Sequence, residues 1–470
     1  MQKSRVRRFG ALLVGLALVA AACGDDKTDS SADTTAAAVD TTVAAVETTA
    51  AAVDTTAPAP DTTAAASGNE MAGMKGTTPL VELSADFKDR LKTTPSGAAD
   101  GGLKDFNYAA ESYDAIMNIA LAVEIAGTDG SAMADEIVGV TKDGEKCSTY
   151  VDCLALVKAG TDIDYDGFSG PITMNGNGEP LQASYGVLVF GDGNQLDDSL
   201  TTYITAEAPE SAVKPLETTD VVREGDGVLA LGGLLPQTGS LAFLSAAMFA
   251  GAELAIADIN EAGGTLGNPV TWSPGDSGDT STDIASQTAD RLLGEGVDAI
   301  IGAASSSVTL TVIDKITAAG VVQFSPANTS LKLSVYADKA LFFRNAPPDD
   351  LQGNVIAQLV IDDGNQSAYI LALDDAYGTS LADVIASALT AAGVEVLGTK
   401  IYDPKATSFD AEVDEVVAAD PDAIILITFD EGSRILKTMV EKGVGPANKA
   451  VYGCDGNMGN ALGDNFNAGK

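Results

Sequence analysis

The second half of the chain alternates short apolar runs with longer segments in which apolar residues recur at helical spacing. The runs predicted as strands are 227–235, 270–272, 297–302, 321–325, 368–374, 394–403 and 422–428. The segments predicted as helices are 240–260, 281–295, 306–319, 380–392 and a segment that continues through Val416. Strands this apolar must be covered on both faces, which is typical of parallel sheets flanked by helices. The pattern therefore predicts an α/β fold.

The preceding part of the chain predicts helices followed by turn-rich structure. Apolar residues at helical spacing indicate a helix at 109–126 and a shorter one at 133–138. The alternating Asn and Gly residues of 175–178 favour a β-hairpin. Residues 192–225 are polar and acidic, and we predict a linker over 201–225.

Residues 1–22 have the organisation of a secretory signal peptide. A basic start precedes an apolar run from 11 to 22, which is too short for a stable membrane span. The run ends in three alanines and Cys23, an arrangement similar to the bacterial lipobox, in which the cysteine is lipidated and becomes the mature N-terminus. Ala20 stands where that motif usually has Leu, and an ordinary cleaved signal with an incidental Cys23 is the alternative.

Residues 24–70 contain a seven-residue repeat that begins with Asp or Glu and two threonines. The paired β-branched threonines, the prolines and the scarcity of large apolar residues disfavour a coiled coil. Such a segment buries too little apolar surface to offset the entropy of ordering it. We expect 23–70 to be a lipidated Cys23 followed by a disordered tether that holds the folded part off the membrane.

Length, charge and composition exclude several classes of protein. The 470 residues exceed what a single core usually holds, so two or more domains are expected. A formal net charge of −40 excludes nucleic acid as a partner, because phosphates would be repelled. The chain has no histidine, which removes hydrolases built on a Ser-His or Cys-His pair and makes most zinc sites unlikely to form.

The cysteines that follow Cys23 indicate one local disulfide. Cys147 and Cys153 lie six residues apart, and cysteines this close in an exported protein are expected to pair. Cys454 is left over and is interpreted as a small buried apolar residue.

Several motifs follow one another across 71–200 and 226–470. They are LLPQTGSLAF with GAELAIADINEAGG, VDAIIGAASSS, FSPANTS, FFRNAPPDDLQG, LALDDAYGTSLA and VYGCDGN in the second part, and YAAESYDAIMNIALA and YDGFSGPITMNGNGEPLQASYGVLVF in the first. Together they resemble the type I periplasmic binding proteins, specifically the branched-chain amino acid group that feeds ABC importers. The resemblance implies two Rossmann-like lobes joined by a hinge that the chain crosses three times.

The order of these motifs departs from the family pattern. The motifs of the family's closing third occupy 71–200 and precede its opening two thirds at 226–470, which implies a circular permutation. Lobe one is expected to combine 80–168 with 226–344, and lobe two to combine 71–78, 171–198 and 345–470. The crossings between lobes are expected near 344–348, 74–79 and 167–171. A misassembled or tandem gene fragment, whose parts pair between chains as a swapped dimer, is the alternative.

Three consecutive serines lie between the predicted strand 297–302 and the helix that follows it. Free backbone N–H groups at a helix start, together with a hydroxyl, are suited to a carboxylate. Ser305 and Ser306 are therefore candidate ligands for the carboxylate of an amino acid, with Ser306 preferred. Plain helix capping by these serines is the alternative.

The resemblance implies further contacts with an amino acid. Ala327, Asn328 and Thr329 match family positions that contact both ends of the ligand, and a turn stabilised by Asn328 and Thr329 is the alternative. Asp455 matches the acidic residue that pairs with the α-ammonium group. A carboxylate at this position would be costly to bury without a cation.

The resemblance also implies the walls of the ligand cleft. Tyr377 and Phe429 would close over the ligand from lobe two, and Phe243 and Leu244 match positions beside the side-chain pocket. An aliphatic pocket of this kind suits Leu, Ile or Val, while short amides and polar amino acids remain open.

Two other motifs lack residues that their apparent chemistry requires. The segment 275–279 is similar to a serine-protease nucleophile motif, but without a histidine it is interpreted as a loop. Asp162, Asp164 and Asp166 have the spacing of half a calcium loop, but Thr173 stands where the twelfth-position Glu belongs. We predict no metal and no cofactor.

The sequence predicts a lipid-anchored, extracytoplasmic solute-binding protein without enzymatic activity. It is expected to capture a small amino acid-like ligand, with branched-chain amino acids favoured, by hinge closure and to deliver it to an ABC transporter permease. A sensor lipoprotein that uses the same cleft for signalling and binding of a short amide or urea-like solute are the alternatives. An amidase-like enzyme is disfavoured by the missing histidine.

Overall fold

The computed structural model describes residues 68–208 and 214–469. The predicted signal peptide, Cys23 and nearly all of the predicted tether lie outside the described residues.

The strands and helices predicted for the second half of the chain are present in the predicted order, and further elements that the apolar pattern did not predict lie between and after them. The strands are β1 (Lys75–Pro79), β2 (Glu145–Cys147), β3 (Ile163–Tyr165), β4 (Gln182–Val189), β5 (Thr202–Glu207), β6 (Ala230–Leu234), β7 (Thr271–Ser273), β8 (Ala299–Gly302), β9 (Val322–Ser325), β10 (Phe342–Arg344), β11 (Ser367–Leu373), β12 (Glu395–Tyr402), β13 (Ala423–Ile427) and β14 (Ala450–Gly453). The α-helices are α1 (Ala85–Leu91), α2 (Ala109–Ala126), α3 (Ala134–Ile137), α4 (Tyr150–Lys158), α5 (Ser245–Glu261), α6 (Ile284–Glu295), α7 (Ser306–Ala318), α8 (Asp349–Asp362), α9 (Ala376–Ala391), α10 (Asp410–Ala419), α11 (Gly432–Glu441) and α12 (Asn460–Asn467).

One sheet has seven strands in the order β12-β11-β13-β14-β1-β4-β5. The strands from β12 to β1 run parallel, and β4 and β5 are added antiparallel at one side. All five residues of β13 are buried and apolar, as expected of a central strand that helices cover on both faces. The sheet therefore unites strands from both ends of the described chain.

A second sheet has five parallel strands in the order β10-β9-β8-β6-β7. Helices α2 and α5 pack against each other beside it, and Gly251 permits the close approach because a Cβ there would lie 2.0 Å from the carbonyl oxygen of Ala109. Within the described chain, the helical segment Ala242–Glu261 is the one long and apolar enough to span a membrane. Most of its apolar window is buried, so it is a core helix of this layer.

Three connections join the layers of the two sheets. They lead from β1 to α1, from β3 to β4, and from β10 to α8. The predicted crossing at 344–348 coincides with the connection from β10 to α8. The crossing predicted near 74–79 lies slightly later, because β1 occupies 75–79 and the chain crosses after Pro79. The predicted crossing at 167–171 is also too short, because Ile172 and Met174 still pack in the core beside the five-stranded sheet.

Several local predictions need correction. Residues 202–207 lie within the predicted linker, yet they pair with β4 as an edge strand, since the β-branched Thr202, Ile204 and Thr205 and the aromatic Tyr203 suit a half-exposed sheet edge. The segment 175–178 forms a turn with a single flanking bridge rather than a hairpin between two strands. The predicted helix at 133–138 is shorter, with α3 spanning Ala134–Ile137.

The structure joins Cys147 to Cys153 by a disulfide whose Cα atoms are 5.3 Å apart. The bridge links the end of β2 to helix α4. Cys454 is a buried free thiol.

A buried ion pair holds two of the crossings together. Arg344, at the end of β10, is 1% exposed and donates to Glu179 in the β3–β4 connection, with Nη2 and Oε2 2.5 Å apart. The Arg344 guanidinium also donates to the carbonyl oxygen of Ser330 and to the hydroxyl of Ser334. Although burial acts to raise the pKa of Glu179, the Arg344 charge holds it below its ordinary value.

We predict that Arg344→Met destabilises the protein by about 3–5 kcal/mol, because it leaves the Glu179 carboxylate buried without a cation. The double variant Arg344→Met/Glu179→Met should lose much less. Urea unfolding followed by circular dichroism measures both. Equal losses for the two variants would show that the charge pair is not what holds the crossings. Since the pKa of Glu179 is lowered, the stabilisation is complete above the ordinary Glu pKa of about 4.3 and is lost as the pH falls through the lowered value.

Candidate functional site

A small cavity lies between the two sheets. Its lining residues come from both layers: Tyr108, Leu241, Leu244, Ala304, Ser305, Ser306, Ala327, Thr329, Tyr377, Phe429, Asp455 and Gly456. The structure therefore brings together eight of the residues that the sequence analysis selected.

The Asp455 carboxylate is the charged group of this cavity. It follows β14 and is only 4% exposed. The hydroxyl of Tyr108 donates to its Oδ2 at 2.5 Å, and the hydroxyl of Tyr377 donates to its Oδ1 at 2.7 Å. Burial raises the pKa of Asp455, and these hydroxyls act in the opposite direction. No Lys or Arg in the described ranges forms a salt bridge with it.

The two tyrosines reach Asp455 from opposite layers. Tyr108 is the residue before α2 and has a left-handed backbone, with φ of 62°. Tyr377 lies in the first turn of α9, which the Asp375 side chain caps by accepting from the N–H of Gly378. The Tyr377 ring stacks on Phe429, with centroids 5.6 Å apart and planes inclined by 7°. An aromatic wall and a carboxylate thus occupy one side of the cavity.

Helix α7 begins at the other side of the cavity. The Ser305 hydroxyl caps the helix by accepting from the N–H of Val308, and the Ser306 hydroxyl accepts from the N–H of Ser330. The Ser305 hydroxyl therefore caps the helix, as the alternative interpretation requires, and the Ser306 hydroxyl binds the segment after β9. Both residues also line the cavity. Because the first turn of a helix leaves its N–H groups without intrahelical acceptors, this end of α7 can receive an anion.

The segment after β9 supplies Ala327 and Thr329 to the cavity wall. Asn328 does not line it. Its side chain is fully buried and donates from Nδ2 to the carbonyl oxygen of Ala304 at 2.8 Å. Its amide holds the wall-forming Ala304 in place, so the predicted contact of Asn328 with the ligand stays a prediction that the lining of this cavity does not support.

Phe243 also lies outside this cavity, although Leu244 lines it. The Phe243 ring borders a second, smaller cavity, shared with Phe429, Gly456 and α12. The displacement follows from the 3₁₀ turn Ala242–Leu244, in which successive side chains point in different directions. Leu241, which sequence reasoning missed, faces the ligand cavity instead.

Tyr108, Ala304 and Gly456 were the other missed residues. Tyr108 is separated from Asp455 by 347 positions, so no local pattern relates the two. The place of Tyr108 at the start of the family motif YAAESYDAIMNIALA, directly before a long apolar helix, was the available signal. Gly456 lines the cavity beside Phe429. The close packing there requires a glycine, because a Cβ would lie 2.6 Å from the carbonyl oxygen of Thr428.

Hydrogen bonds outside the cavity connect the two layers directly. The N–H of Ala376 donates to the Ser307 hydroxyl at 2.8 Å, and the Ser330 hydroxyl donates to the carbonyl oxygen of Ala376 at 2.7 Å. The N–H of Leu331 donates to the Ser380 hydroxyl at 3.0 Å. The starts of α7 and α9 are therefore held together, and the described conformation is closed.

A larger cleft opens outward from the cavity and shares Leu241, Ser305 and Phe429 with it. Its acidic lining residues are Asp279, Asp374, Asp375, Asp403, Asp430 and Glu431, and Lys405 is its basic residue. No group of three or more Cys, Asp or Glu side chains in the described chain is arranged to hold a metal ion. Asp164 and Asp166, of the calcium-like spacing, instead bind Lys146.

The sequence is similar to those of curated proteins over part of its length. It is 30% identical over 207 residues to the chemotactic signal transduction system substrate-binding protein BasB of Halobacterium salinarum, covering 42% of this chain and 49% of the relative. It is 25% identical over 231 residues to the Leu/Ile/Val-binding protein BraC3 of Rhizobium johnstonii, covering 48% and 61%. The chain thus spans about half the length of the curated relatives that it matches.

The chain is also similar to solved structures over about half of its length. The branched-chain amino acid transporter substrate binding protein LivJ of Streptococcus pneumoniae, in complex with isoleucine, has a TM-score of 0.46 at 24% identity, covering 51% of this chain and 67% of that chain. A solute binding protein of an ABC transporter from Rhodopseudomonas palustris, in complex with 3,4-dihydroxy benzoic acid, has a TM-score of 0.42 at 18% identity, covering 48% and 62%.

Two family models match separate parts of the chain. The model described as receptor family ligand binding region matches residues 34–192. The model described as periplasmic binding protein matches residues 229–466, a little over half of the chain. The α/β architecture with two parallel-stranded sheets, the inter-sheet cavity and this match agree, and the chain belongs to the periplasmic binding protein family, with the type I fold.

Proposed function

We propose that this protein captures a small amino acid, with a branched-chain side chain favoured, and holds it between its two layers. The observation that carries the proposal is the buried Asp455 carboxylate, which faces the cavity with two tyrosine donors and no paired cation among the described side chains. An α-ammonium group would supply that cation. The start of α7 offers N–H groups to the α-carboxylate, and Leu241 and Leu244 offer apolar surface to the side chain.

Hinge closure follows from where these groups lie. Asp455 and Tyr377 belong to the layer of the seven-stranded sheet, and the serines of α7 belong to the other layer. A ligand that contacts both gains those interactions only in the closed state, so its binding energy shifts the population toward closure. We propose that no reaction occurs on the ligand and that the loaded protein delivers it to an ABC transporter permease at the outer face of the membrane.

A sensing role is the second candidate. It is favoured by the similarity to the BasB protein, whose name assigns it to chemotactic signal transduction. The same cavity would serve both roles, and the partner that reads the closed state would differ. A short amide or urea-like solute is a further candidate ligand, but it would leave the Asp455 charge without a cation.

Calorimetry with purified protein tests the ligand class. L-isoleucine should bind, whereas 4-methyl-2-oxopentanoate and benzoate, which lack an ammonium group, should not. Asp455→Asn should weaken binding of L-isoleucine at least about 30-fold, since losing one partner of a buried charge pair costs about 2–5 kcal/mol.

Asp403→Asn is the matched control, because it removes the same charge from an exposed residue of the outer cleft. It should leave the affinity within about twofold. Binding of benzoate, or an unchanged affinity in Asp455→Asn, would contradict an amino acid as the ligand.

We also propose that the chain is a circular permutation that folds as a monomer. Strand β1 lies parallel to and beside β14. Helix α12 follows β14 in the chain, so in the family order it would be the crossover that leads from β14 to β1. The N–H of Met71 donates to the Asn194 side chain at 2.9 Å, and Asn194 donates to Asn467 at 2.8 Å. Positions 71 and 467 are therefore joined through one side chain, as the permuted order requires.

Sedimentation equilibrium should give the mass of one chain over a wide concentration range. In a monomer, each chain supplies both halves of its own cavity. A stable dimer would instead support two chains that exchange their first and second parts.

We propose that Cys23 is lipidated and holds the protein at the membrane, on the grounds of the sequence of residues 20–23. In a bacterial host fed labelled palmitate, the full chain should carry label and sediment with membranes. Cys23→Ser should lose both properties, and Cys454→Ala, which alters the buried free thiol, should keep both. Label retained in Cys23→Ser would contradict the anchor.

A further inference from the structure

A second buried carboxylate lies behind the cavity wall. Asp349 is the first residue of α8 and is fully buried, directly after the crossing that begins at Arg344. Its N–H donates to the carbonyl oxygen of Thr329 at 2.8 Å, and Thr329 lines the cavity. Asp349 does not line the cavity itself, so it can act on a ligand only through its neighbours.

Asp349 and Asp455 differ in their hydrogen bonds. Two tyrosine hydroxyls donate to Asp455, whereas neither carboxylate oxygen of Asp349 accepts a hydrogen bond of acceptable geometry. Burial raises the pKa of Asp349 to about 7; the nearby hydroxyls of Ser380 and Thr329 act to lower it, and the charge of Asp455 raises it further. Of the two carboxyl groups, Asp455 is therefore the better stabilised anion and Asp349 the better site for a proton.

The polar and titratable groups that act on Asp349 come from several elements. They are Asp455 and Cys454 after β14, Tyr185 on β4, Arg344 on β10, Ser380 on α9 and Thr329 after β9. Arg344 is the one cation among them, and it is already paired with Glu179. Neither Asp349 nor Asp455 therefore has a compensating charge, and ionising both places two like charges near each other.

We propose that Asp349 is a proton-linked positioning residue of the ammonium site: it holds a proton while the site is empty and releases that proton to solvent when an ammonium group binds at Asp455. The inference rests on the proposed function in one respect, that the ligand carries an ammonium group. Its physical basis is that a bound cation favours the ionised form of a nearby carboxyl group.

The sign of the pH dependence follows from this linkage. The bound cation lowers the pKa of Asp349 below its value of about 7 in the empty site, so binding releases a proton in this pH range. Affinity should therefore fall as the pH drops below 7, by up to about tenfold per pH unit, until the pKa of the complex is reached. Above pH 8 the affinity should be constant.

The first experiment needs no ligand. The carboxyl carbon of Asp349 is followed by ¹³C NMR in protein labelled at Asp and assigned by its absence in Asp349→Asn. We expect it to titrate near pH 7 and to shift to lower pH in Asp455→Asn, where the facing charge is gone. Titration near the ordinary Asp value of about 3.9, or no shift in Asp455→Asn, would overturn the proposal.

The second experiment is calorimetry with L-isoleucine in buffers of different protonation enthalpy between pH 6 and 8. Wild-type protein should release protons on binding. Asp349→Asn should release none, and its affinity should be independent of pH and close to that of the wild type at low pH. Asp403→Asn should behave like the wild type.

The outcomes separate this inference from the proposed function. Proton release that persists in Asp349→Asn would assign the proton to Asp455 and overturn the inference while leaving amino acid binding intact. Absence of L-isoleucine binding at every pH would count against the amino acid function, and the NMR titration would still decide whether the two carboxyl groups are coupled.

Discussion

A carboxylate buried without a cation constrains the whole inter-sheet region. Asp455 cannot keep its charge in an apolar environment unless donors surround it. The fold supplies one tyrosine hydroxyl from each layer, so the environment of Asp455 is complete only when the layers meet. The environment of the Asp455 carboxylate therefore depends on the closed arrangement of the two layers.

The contacts that close the layers are numerous but individually weak. The bonds between the starts of α7 and α9 are short-range hydrogen bonds of serine hydroxyls and backbone groups, each contributing about 0.5–1.5 kcal/mol. The stronger interaction, between Arg344 and Glu179, lies in the crossings and does not depend on the cavity. The crossings are therefore joined by a buried charge pair, whereas the starts of α7 and α9 are joined by weaker hydrogen bonds.

Local patterns in the sequence were sufficient for most of the fold. Buried parallel strands such as β13 are apolar throughout, and helices such as α6 bury residues at helical spacing, so their positions could be predicted. The edge strand β5 could not, because a half-exposed strand with threonine and acidic residues has the composition of a linker. Its identity as a strand depends on β4, which lies beside it only in the folded chain.

A family motif or a helix start marks Ser306, Thr329 and Asp455 in the sequence, and all three line the cavity. Asn328 and Phe243 do not line it, because the direction of a side chain depends on its neighbours in space. By itself, the sequence determined most of the elements, the absence of histidine chemistry and the presence of an acidic residue after the strand that ends at Gly453. Only the tertiary structure decided that Tyr108 and Tyr377 share one carboxylate, because hydrogen bonds between distant positions form after the two sheets pack together.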